Sequence, residues 1–276
     1  MSRQDTKHTG KIYLVGAGPG AADLITVRGA RLLAQAEAVL HDALVSDDLL
    51  QLCPQAIRIS VGKRAGRRST AQALINRQLV ECAKRYRLVV RLKGGDPMLF
   101  GRADEELHVL EAAGVEVEIV PGITAALAAA ASMRQPLTKR GVARSVAFFT
   151  SSTAPDHPEQ TVLPNCDTLI QYMGGKEAAA TAQKLLSQGR SPDLPIVVIE
   201  NCSCPNEHIV RLRLGELAQG LPSCPGPVLV MIGEALAPRA VTQASPVVAN
   251  DYYANSAWQL PVHDPTAAPT CEAPCL

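Results

Sequence analysis

Short apolar segments alternate with longer helical segments along most of this chain, and this alternation limits the possible fold more than any other feature. Strands are predicted over residues 11–15 (KIYLV), 38–42 (AVLHD) and 87–93 (RLVVRLK). Runs this apolar are typical of parallel strands, which are buried on both faces. Residues 70–86 carry apolar side chains at three- and four-residue spacing, which predicts a long helix between two strands. The pattern therefore predicts an α/β fold.

The second half of the chain repeats this pattern less regularly. Strands are predicted over residues 144–150, 167–175, 194–202 and 226–236, with a helix over residues 177–189. We expect two α/β domains, residues 11–122 and 123–237. Residues 238–276 are rich in Pro, Ala and Thr and show no period, which predicts a mostly disordered tail without a catalytic role.

Charge and cysteine content exclude several classes of function. The net charge of +1 argues against nucleic-acid binding. The first ten residues are polar and no apolar segment is long enough to span a membrane, so we expect a cytoplasmic protein with no membrane contact. The 8 cysteines show no metal-ligand spacing, and no metal site is expected. Cations cluster at residues 61–68 and 134–144, either as solvated faces or as a site for a small anionic ligand.

Residues 15–23 (VGAGPGAAD) follow the first predicted strand and resemble a dinucleotide-binding turn. The six residues from Gly16 fit the G-x-G-x-x-A pattern, and Asp42 stands where a ribose-binding acid is expected. A dinucleotide site needs its helix directly after the glycines, so that the first amides meet the pyrophosphate. Here Pro19 interrupts the turn, and the helix is predicted only after Thr26, its N-cap. NAD binding is therefore disfavoured.

Turns of this kind recur at the ends of five predicted strands. Their sequences are GAGPG, KGGDP, VPGITAA, YMGG and IENC. In open α/β sheets, ligands bind beyond the carboxyl ends of the strands. Because the turns come from both halves of the chain, we expect a ligand in the cleft between the two domains.

A set of longer motifs occurs in order between Lys11 and Leu236: YLVGAGPGAADLIT, HDALVS, VGKRAG, VVRLKGGDPMLFGR, VPGITAA, PLTKRGVARSV, QYMGG and VIEN. In order, spacing and number they resemble the tetrapyrrole methylase family, and VGKRAG with RLKGGDP favours the branch acting on uroporphyrinogen III. The resemblance implies S-adenosylmethionine as methyl donor, bound between two α/β domains of a homodimer. It also implies two methylations of uroporphyrinogen III, giving precorrin-2 via precorrin-1 for sirohaem or cobalamin synthesis.

The resemblance also implies two catalytic residues. Asp42 matches the general base, since a carboxylate at a strand end can take the proton that a methylated, cationic macrocycle must lose. Lys63 matches a proton donor or substrate contact. Their simpler interpretations are a turn-forming Asp and a surface Lys. Cations are expected to pair with the substrate carboxylates, and the candidates are Arg64, Arg67, Lys139 and Arg140.

The positions that match the family's donor-binding residues are Pro19, Gly94, Gly95, Asp96, Leu99, Thr124, Ala125, Met173 and Cys202. The two adjacent glycines let backbone approach the donor, and Asp96 can accept a hydrogen bond from its ribose or ammonium group. Simpler roles are a turn for Asp96, a helix N-cap for Thr124 and core packing for Met173. The family has Gly or Ala at Cys202, so a backbone contact is expected there.

Three alternatives to this function remain open. A related methylase acting on a later precorrin differs in which tetrapyrrole accepts the methyl group. A non-catalytic protein that binds a tetrapyrrole or S-adenosylmethionine shares the fold, although Asp42, Lys63 and the glycine turns favour catalysis. A nicotinamide dehydrogenase is distinguished by binding NAD and not S-adenosylhomocysteine.

Overall fold

The first part of the chain forms a parallel five-stranded sheet. The computed structural model describes residues 10–61, 68–151, 162–221 and 223–238. The strands of this sheet are β1 Lys11–Gly16, β2 Ala38–His41, β3 Ile57–Ser60, β4 Leu88–Lys93 and β5 Val117–Val120. They lie in the order β3-β2-β4-β1-β5, and every neighbouring pair is parallel. The predicted α/β architecture is confirmed here.

Helices cover both faces of this sheet. They are α1 Val27–Gln35, α2 Asp47–Leu50, α3 Arg68–Arg85 and α4 Ala103–Ala112. Apolar side chains of α3 and α4 form one core with Ile12 and Leu14 of β1, whereas α1 and α2 form a second core on the face of Val15. The hydroxyl of Thr26 accepts a hydrogen bond from the Gly29 amide at 3.1 Å, so α1 begins where the sequence predicts.

The second part forms a mixed five-stranded sheet. Its strands are β6 Val146–Thr150, β7 Thr168–Tyr172, β8 Pro195–Glu200, β9 His208–Arg213 and β10 Val228–Ile232. The order is β6-β7-β10-β8-β9, with β6 and β7 parallel and the remaining pairs antiparallel. The apolar pattern did not predict β9, because this edge strand carries alternating cations and is only half-buried.

Helices α5 Ala125–Ser132, α6 Ala178–Ser187 and α7 Leu214–Leu217 cover the two faces of the second sheet. The small side chains of Ala126 and Ala129 let α5 pack closely on Ile170 and Met231, and Leu24 from the first part joins this core. Side chains of α6 and α7 pack on the opposite face. The two sheets are therefore joined through packed side chains as well as through the connecting chain.

One compact unit of the chain ends at Ala237. The predicted division into domains at residues 122 and 123 remains a prediction. Apart from Pro238, the predicted tail over residues 238–276 lies outside the described residues. Within the described ranges, no helix has both the length and the apolar character needed to cross a membrane.

Candidate active site

The five turns found in the sequence all follow observed strands. Three extend from β1, β4 and β5, which are neighbours in the parallel sheet. The other two extend from β7 and β8, which both run antiparallel to β10 and therefore end at the same edge of the second sheet. Each sheet thus presents its turns at one edge, as expected for ligand sites in α/β proteins.

Glycines bring the three turns of the first sheet into backbone contact. A Cβ atom on Gly16 would lie 2.5 Å from the Cα of Gly122, and one on Gly122 would overlap the carbonyl oxygen of Gly95. Two backbone hydrogen bonds, of 3.2 and 2.7 Å, also join Gly18 and Gly95. Since no side chain fits between these turns, glycine is required for the strand ends to meet.

The other side of the β4 turn is open. Gly95 has a φ of +67°, and no atom lies within 4 Å of the position that a Cβ would take there. Gly94 is exposed, and its nearest neighbour in that direction is Leu44 Cβ at 3.8 Å. A ligand can therefore approach the main chain of this turn, which suits the donor-binding role predicted for both glycines.

Asp96 joins the β4 and β5 turns. Its Oδ1 accepts from the Met98 amide at 2.8 Å, and its Oδ2 accepts from the Gly122 amide at 2.9 Å. The simpler interpretation of Asp96 as a turn residue is thus realised in the structure. Leu99 lies half-buried in the same turn, with its amide bonded to the Asp96 carbonyl oxygen at 3.3 Å. A carboxylate has further lone pairs, so a donor contact at Asp96 stays a prediction.

Side chains, rather than glycines, form the β7 end of the site. Thr124 occupies the N-cap position of α5 but makes no capping bond, and its hydroxyl lies 2.5 Å from Tyr172 Oη. The same Tyr172 oxygen accepts from the Ala126 amide at 3.2 Å and so caps the helix instead. Burial raises the pKa of Tyr172, which keeps this hydroxyl neutral.

An aromatic cluster surrounds Tyr172. Its ring centroid lies 5.1 Å from that of Phe100 in the β4 turn and 5.9 Å from that of Phe148 in β6. The neighbouring Met173 has a φ of +56° and is 54 % exposed, so the simpler interpretation as a core residue is wrong. Apolar side chains from both sheets therefore line an accessible surface beside the glycine turns.

The β8 turn contacts the β1 turn. Ser203 Oγ accepts from the Ala21 amide at 3.0 Å, next to the half-buried Pro19–Gly20 segment. The buried Cys202 thiol donates to the carbonyl oxygen of Ala125 at 3.5 Å. Burial, with the nearby Glu207 carboxylate, raises the pKa of Cys202 to about 12, so this thiol is not a nucleophile near neutral pH.

Asp42 follows β2 and lies next to the β4 turn. Its amide donates to the Leu92 carbonyl oxygen at 3.2 Å. Its side chain is 33 % exposed, and Oδ1 accepts a hydrogen bond from Arg91 Nη2 at 2.7 Å. A partly exposed carboxylate near an open glycine turn is in a suitable place to accept a proton from a bound ligand.

A buried ionic network lies beneath Asp42. Arg91 Nε binds Glu106 Oε1 at 3.1 Å, and Lys93 Nζ binds Glu106 Oε2 at 2.9 Å. The side chains of Arg91 and Lys93 are 3 % exposed, and that of Glu106 is fully buried. Burial and the Arg91 charge both lower the pKa of Lys93.

Sequence reasoning missed this network, although the sequence contains a signal for it. Arg91 and Lys93 lie within an otherwise apolar strand, and charges in a buried strand need partners. Glu106 shares the buried stripe of α4 with Ala103 and Leu110. A search for a carboxylate on an apolar helix stripe would have found it. Tyr172 was missed because its role depends on contacts across the fold.

Of the remaining predicted cations, only Lys139 and Arg140 belong to the described residues. Lys63, Arg64 and Arg67 lie outside the described residues. Lys139 and Arg140 are exposed on a tight turn closed by two hydrogen bonds between Lys139 and Ala143, each 2.8 Å long. Within the described parts of the chain, no hydrogen bond or ion pair connects this turn to Asp42 or to the glycine turns.

A comparison against protein families agrees with this fold, in which turns at the strand ends of two helix-covered sheets contact one another. Residues 11–218 match the family of tetrapyrrole (corrin/porphyrin) methylases. The chain therefore belongs to the tetrapyrrole methylase family, as the motifs in the sequence predicted.

Two relatives within this family show which enzymes the chain is most readily compared with. A uroporphyrinogen-III C-methyltransferase of Pseudomonas aeruginosa is 43 % identical over 230 residues, which cover 82 % of this chain and 94 % of that protein. A siroheme synthase of Actinobacillus pleuropneumoniae is also 43 % identical, over 82 % of this chain but 47 % of that protein. The chain thus spans about half the length of the siroheme synthases that it matches.

A solved structure shows the same fold. The uroporphyrin-III C-methyltransferase of Thermus thermophilus, complexed with S-adenosyl homocysteine, superposes with a TM-score of 0.73 and is 38 % identical. The match covers 83 % of this chain and 94 % of that one. The arrangement of the two sheets described above is therefore the arrangement of a tetrapyrrole methyltransferase.

Proposed function

We propose that this protein is a uroporphyrinogen-III C-methyltransferase that uses S-adenosylmethionine and forms precorrin-2. The observation that carries the proposal is that the five strand-end turns contact one another, and that the partly exposed carboxylate of Asp42 lies next to one of them, the β4 turn. The 43 % identity to a protein of that activity, over nearly its whole length, supports the same function.

The residues present fit the methyl donor. The open side of the Gly94–Gly95 turn gives room for main-chain contacts, and the exposed Met173 provides an apolar surface for an adenine ring. S-adenosylmethionine supplies an activated methyl group on a positively charged sulfur. The roles of Pro19, Leu99, Thr124, Ala125 and Cys202 in holding it remain part of the proposal. The buried contact of Cys202 with Ala125 favours a main-chain contact at that position.

Asp42 is proposed to act after the methyl group has moved. The attacking pyrrole carbon forms a bond to the methyl group, the carbon–sulfur bond breaks, and the macrocycle is left with a positive charge and a proton to lose. The Asp42 carboxylate stabilises that charge and accepts the proton. Most of the remaining rate enhancement comes from holding carbon and methyl group in line in a dry site.

Cations are proposed to recognise the carboxylates of the tetrapyrrole. The exposed Lys139 and Arg140 are candidates among the described residues, and Lys63, Arg64 and Arg67 are the candidates outside them. Arginine pairs a carboxylate through two parallel hydrogen bonds, which suits a substrate with several such groups. The aromatic cluster around Tyr172 offers an apolar surface to the macrocycle itself.

Two further parts of the proposal concern the state of the protein. We propose a homodimer in the cytoplasm, as the family resemblance implies. Leu127 on α5 is 54 % exposed and Val142 is also exposed, so the single chain leaves apolar surface that a second copy can cover. Light scattering at several concentrations tests the dimer, and a monomer at high concentration contradicts it.

The experiment is anaerobic incubation of the protein with uroporphyrinogen III and methyl-labelled S-adenosylmethionine, followed by mass analysis. A doubly methylated product is expected. Asp42→Asn should lower kcat by about 100-fold or more, the usual contribution of a general base. The matched control is Asp48→Asn, an equivalent change at an exposed carboxylate of α2 that should retain nearly full activity.

Three other outcomes would change part or all of this proposal. A doubly methylated product with no loss of kcat in Asp42→Asn would support the function but would mean that Asp42 is only a structural turn residue. Methylation of a later precorrin, and not of uroporphyrinogen III, identifies a related methylase. Tight binding of S-adenosylhomocysteine with no methylation of any tetrapyrrole favours a non-catalytic binding protein.

A further inference from the structure

Arg91 occupies an unusual position for a cation. It lies on β4, the middle strand of the parallel sheet, between the apolar residues Val90 and Leu92, and only 3 % of its side chain is exposed. Burying a charge costs several kcal/mol, and replacing buried ion pairs by apolar residues is often neutral or stabilising. Stability alone therefore does not explain the residue, and a link to the chemistry of the site is a better explanation.

All three guanidinium nitrogens of Arg91 are engaged. Nε donates to Glu106 Oε1 at 3.1 Å, Nη1 donates to the Leu92 carbonyl oxygen at 3.2 Å, and Nη2 donates to Asp42 Oδ1 at 2.7 Å. The planar group is thus held at two points within the protein interior while its third nitrogen faces Asp42. An arginine fixed in this way is a rigid donor for whatever it contacts.

Glu106 is in turn fixed from several sides. Its Oε1 also lies 3.4 Å from the Gln72 side-chain amide, and its Oε2 is bound by Lys93 at 2.9 Å. With Asp42 included, the cluster contains two cations and two carboxylates. Lys93 balances the charge of Glu106, which leaves the charge of Arg91 available to Asp42.

We propose that Arg91 is a positioning residue for Asp42, oriented by Glu106, and that it holds Oδ1 so that Oδ2 faces the substrate. This inference rests on the proposed function. Among the described residues no hydrogen bond to Asp42 Oδ2 is found, whereas Oδ1 is taken by Arg91. Within the described part of the chain, the partly exposed carboxylate thus has one anchored oxygen and one oxygen that can accept a proton.

Lys93 provides a matched control for this role. Arg91→Gln and Lys93→Gln each remove one buried cation from Glu106, but only Arg91 contacts Asp42. Both variants should therefore lose similar thermal stability. Arg91→Gln should in addition lower kcat by about 100-fold, the size of a general-base contribution, while KM for S-adenosylmethionine changes by less than about threefold.

A double-mutant cycle with Asp42→Asn tests whether Arg91 acts through Asp42. If it does, Arg91→Gln should cause little further loss of kcat once the carboxylate has been replaced. Arg91→Lys keeps the charge of the cluster and serves if Arg91→Gln does not fold. Because its charge is kept, this variant should fold and bind S-adenosylhomocysteine. A lysine ammonium group cannot bridge Glu106 and Asp42 as the planar guanidinium group does, so kcat should fall by about tenfold or more.

Several results would overturn the inference while leaving the function intact. These are equal kcat losses in Arg91→Gln and Lys93→Gln, additive losses in the double-mutant cycle, or full activity in Arg91→Lys. A folded wild-type protein that binds S-adenosylhomocysteine but does not methylate uroporphyrinogen III instead overturns the proposed function, and this inference with it.

Discussion

The two sheets contribute to the site through different kinds of contact. On the first sheet, the turns after β1, β4 and β5 are shaped by glycine backbones in contact, with charged side chains buried beneath them. On the second sheet, the turns after β7 and β8 are shaped by side chains, chiefly Tyr172, Met173 and Cys202.

This difference indicates that the two sheets have different roles in the site. Backbone in close contact has few alternative arrangements, which suits the part of a site that must position a reacting carboxylate and a donor. Exposed methionine and aromatic side chains adapt their shape more easily, which suits the part that accommodates a large apolar ring. Substitutions on the two sheets should therefore differ in kind as well as in size.

The largest effect is expected from Gly122→Ala. The added Cβ would overlap the Gly95 carbonyl oxygen and crowd the Gly16 main chain, and neither can move without separating two strand ends. We expect a loss of about 3 kcal/mol in the free energy of unfolding and a loss of S-adenosylhomocysteine binding. Urea denaturation and titration calorimetry measure the two effects.

Gly175→Ala is the matched change on the second sheet. Its new Cβ would meet Val228 at 3.6 Å, an ordinary contact, so stability should change by no more than about 0.5 kcal/mol. If the two variants have equal free energies of unfolding, the close backbone contact of the first-sheet turns does not contribute to stability. The proposed difference between the two sheets would then be wrong.

The second prediction concerns Asp96→Asn. The asparagine side chain has only one accepting oxygen, so its NH2 group must face the backbone N–H of either Met98 or Gly122, and two hydrogen-bond donors then oppose each other. We expect a loss of about 1 to 3 kcal/mol in stability and weaker binding of S-adenosylhomocysteine, because the β4 and β5 turns separate. Both are measured as for Gly122→Ala.

Asp167→Asn provides the control on the second sheet. Asp167 Oδ2 accepts from the Arg144 and Ser145 amides at 3.0 Å, and it precedes β7, at the opposite end of that strand from the β7 turn. Asp167 uses a single oxygen, which the amide oxygen of asparagine can replace, so this variant should lose less stability than Asp96→Asn and keep its affinity for S-adenosylhomocysteine. Loss of affinity in both would mean that the link between the β4 and β5 turns is not what controls binding.

Tyr172→Phe should have a smaller effect. The change removes the hydroxyl that bonds Thr124 and caps the Ala126 amide, but it keeps the ring contacts with Phe100 and Phe148. We expect a loss of about 1 kcal/mol in stability, since one helix cap and one side-chain hydrogen bond are lost. Activity should fall by less than tenfold, because the aromatic surface remains.

Tyr13→Phe is the equivalent change on β1. In the described part of the chain the Tyr13 hydroxyl takes part in no hydrogen bond, so its removal should leave stability nearly unchanged. An equal loss in both variants would show that the hydroxyl of Tyr172 has no special role in joining α5 to β7.

The sequence alone predicted more of the first sheet's contribution than of the second's. Glycine turns and the position of Asp42 are local features, readable from short motifs at strand ends. The buried network is not local, because Arg91 meets Glu106 across 15 residues and Asp42 across 49. Tyr172 was missed for the same reason, since a cap from another strand leaves no local signal. Strand β9 was missed because its alternating cations and half-buried side chains interrupt the apolar pattern.

The prediction with the smallest effect near neutral pH concerns Cys202 and the pH dependence of stability. Burial raises the pKa of its thiol from 9.0 to about 12. In the unfolded chain the thiol loses its proton around pH 9, whereas the folded protein retains it to about pH 12. The unfolded state thus binds fewer protons in this window, so the contribution of Cys202 is present below pH 9 and is lost as the pH rises towards 12.

Thermal unfolding from pH 8 to 11 under reducing conditions measures this effect. The wild-type melting temperature should fall with rising pH, and Cys202→Ala should fall less steeply because its thiol no longer contributes. Cys166→Ala, at a half-buried cysteine away from the five turns, is the control. Equal slopes in all three proteins would mean that the thiol is not held in the buried contact with Ala125, and that side-chain burial at the β8 turn is weaker than the structure indicates.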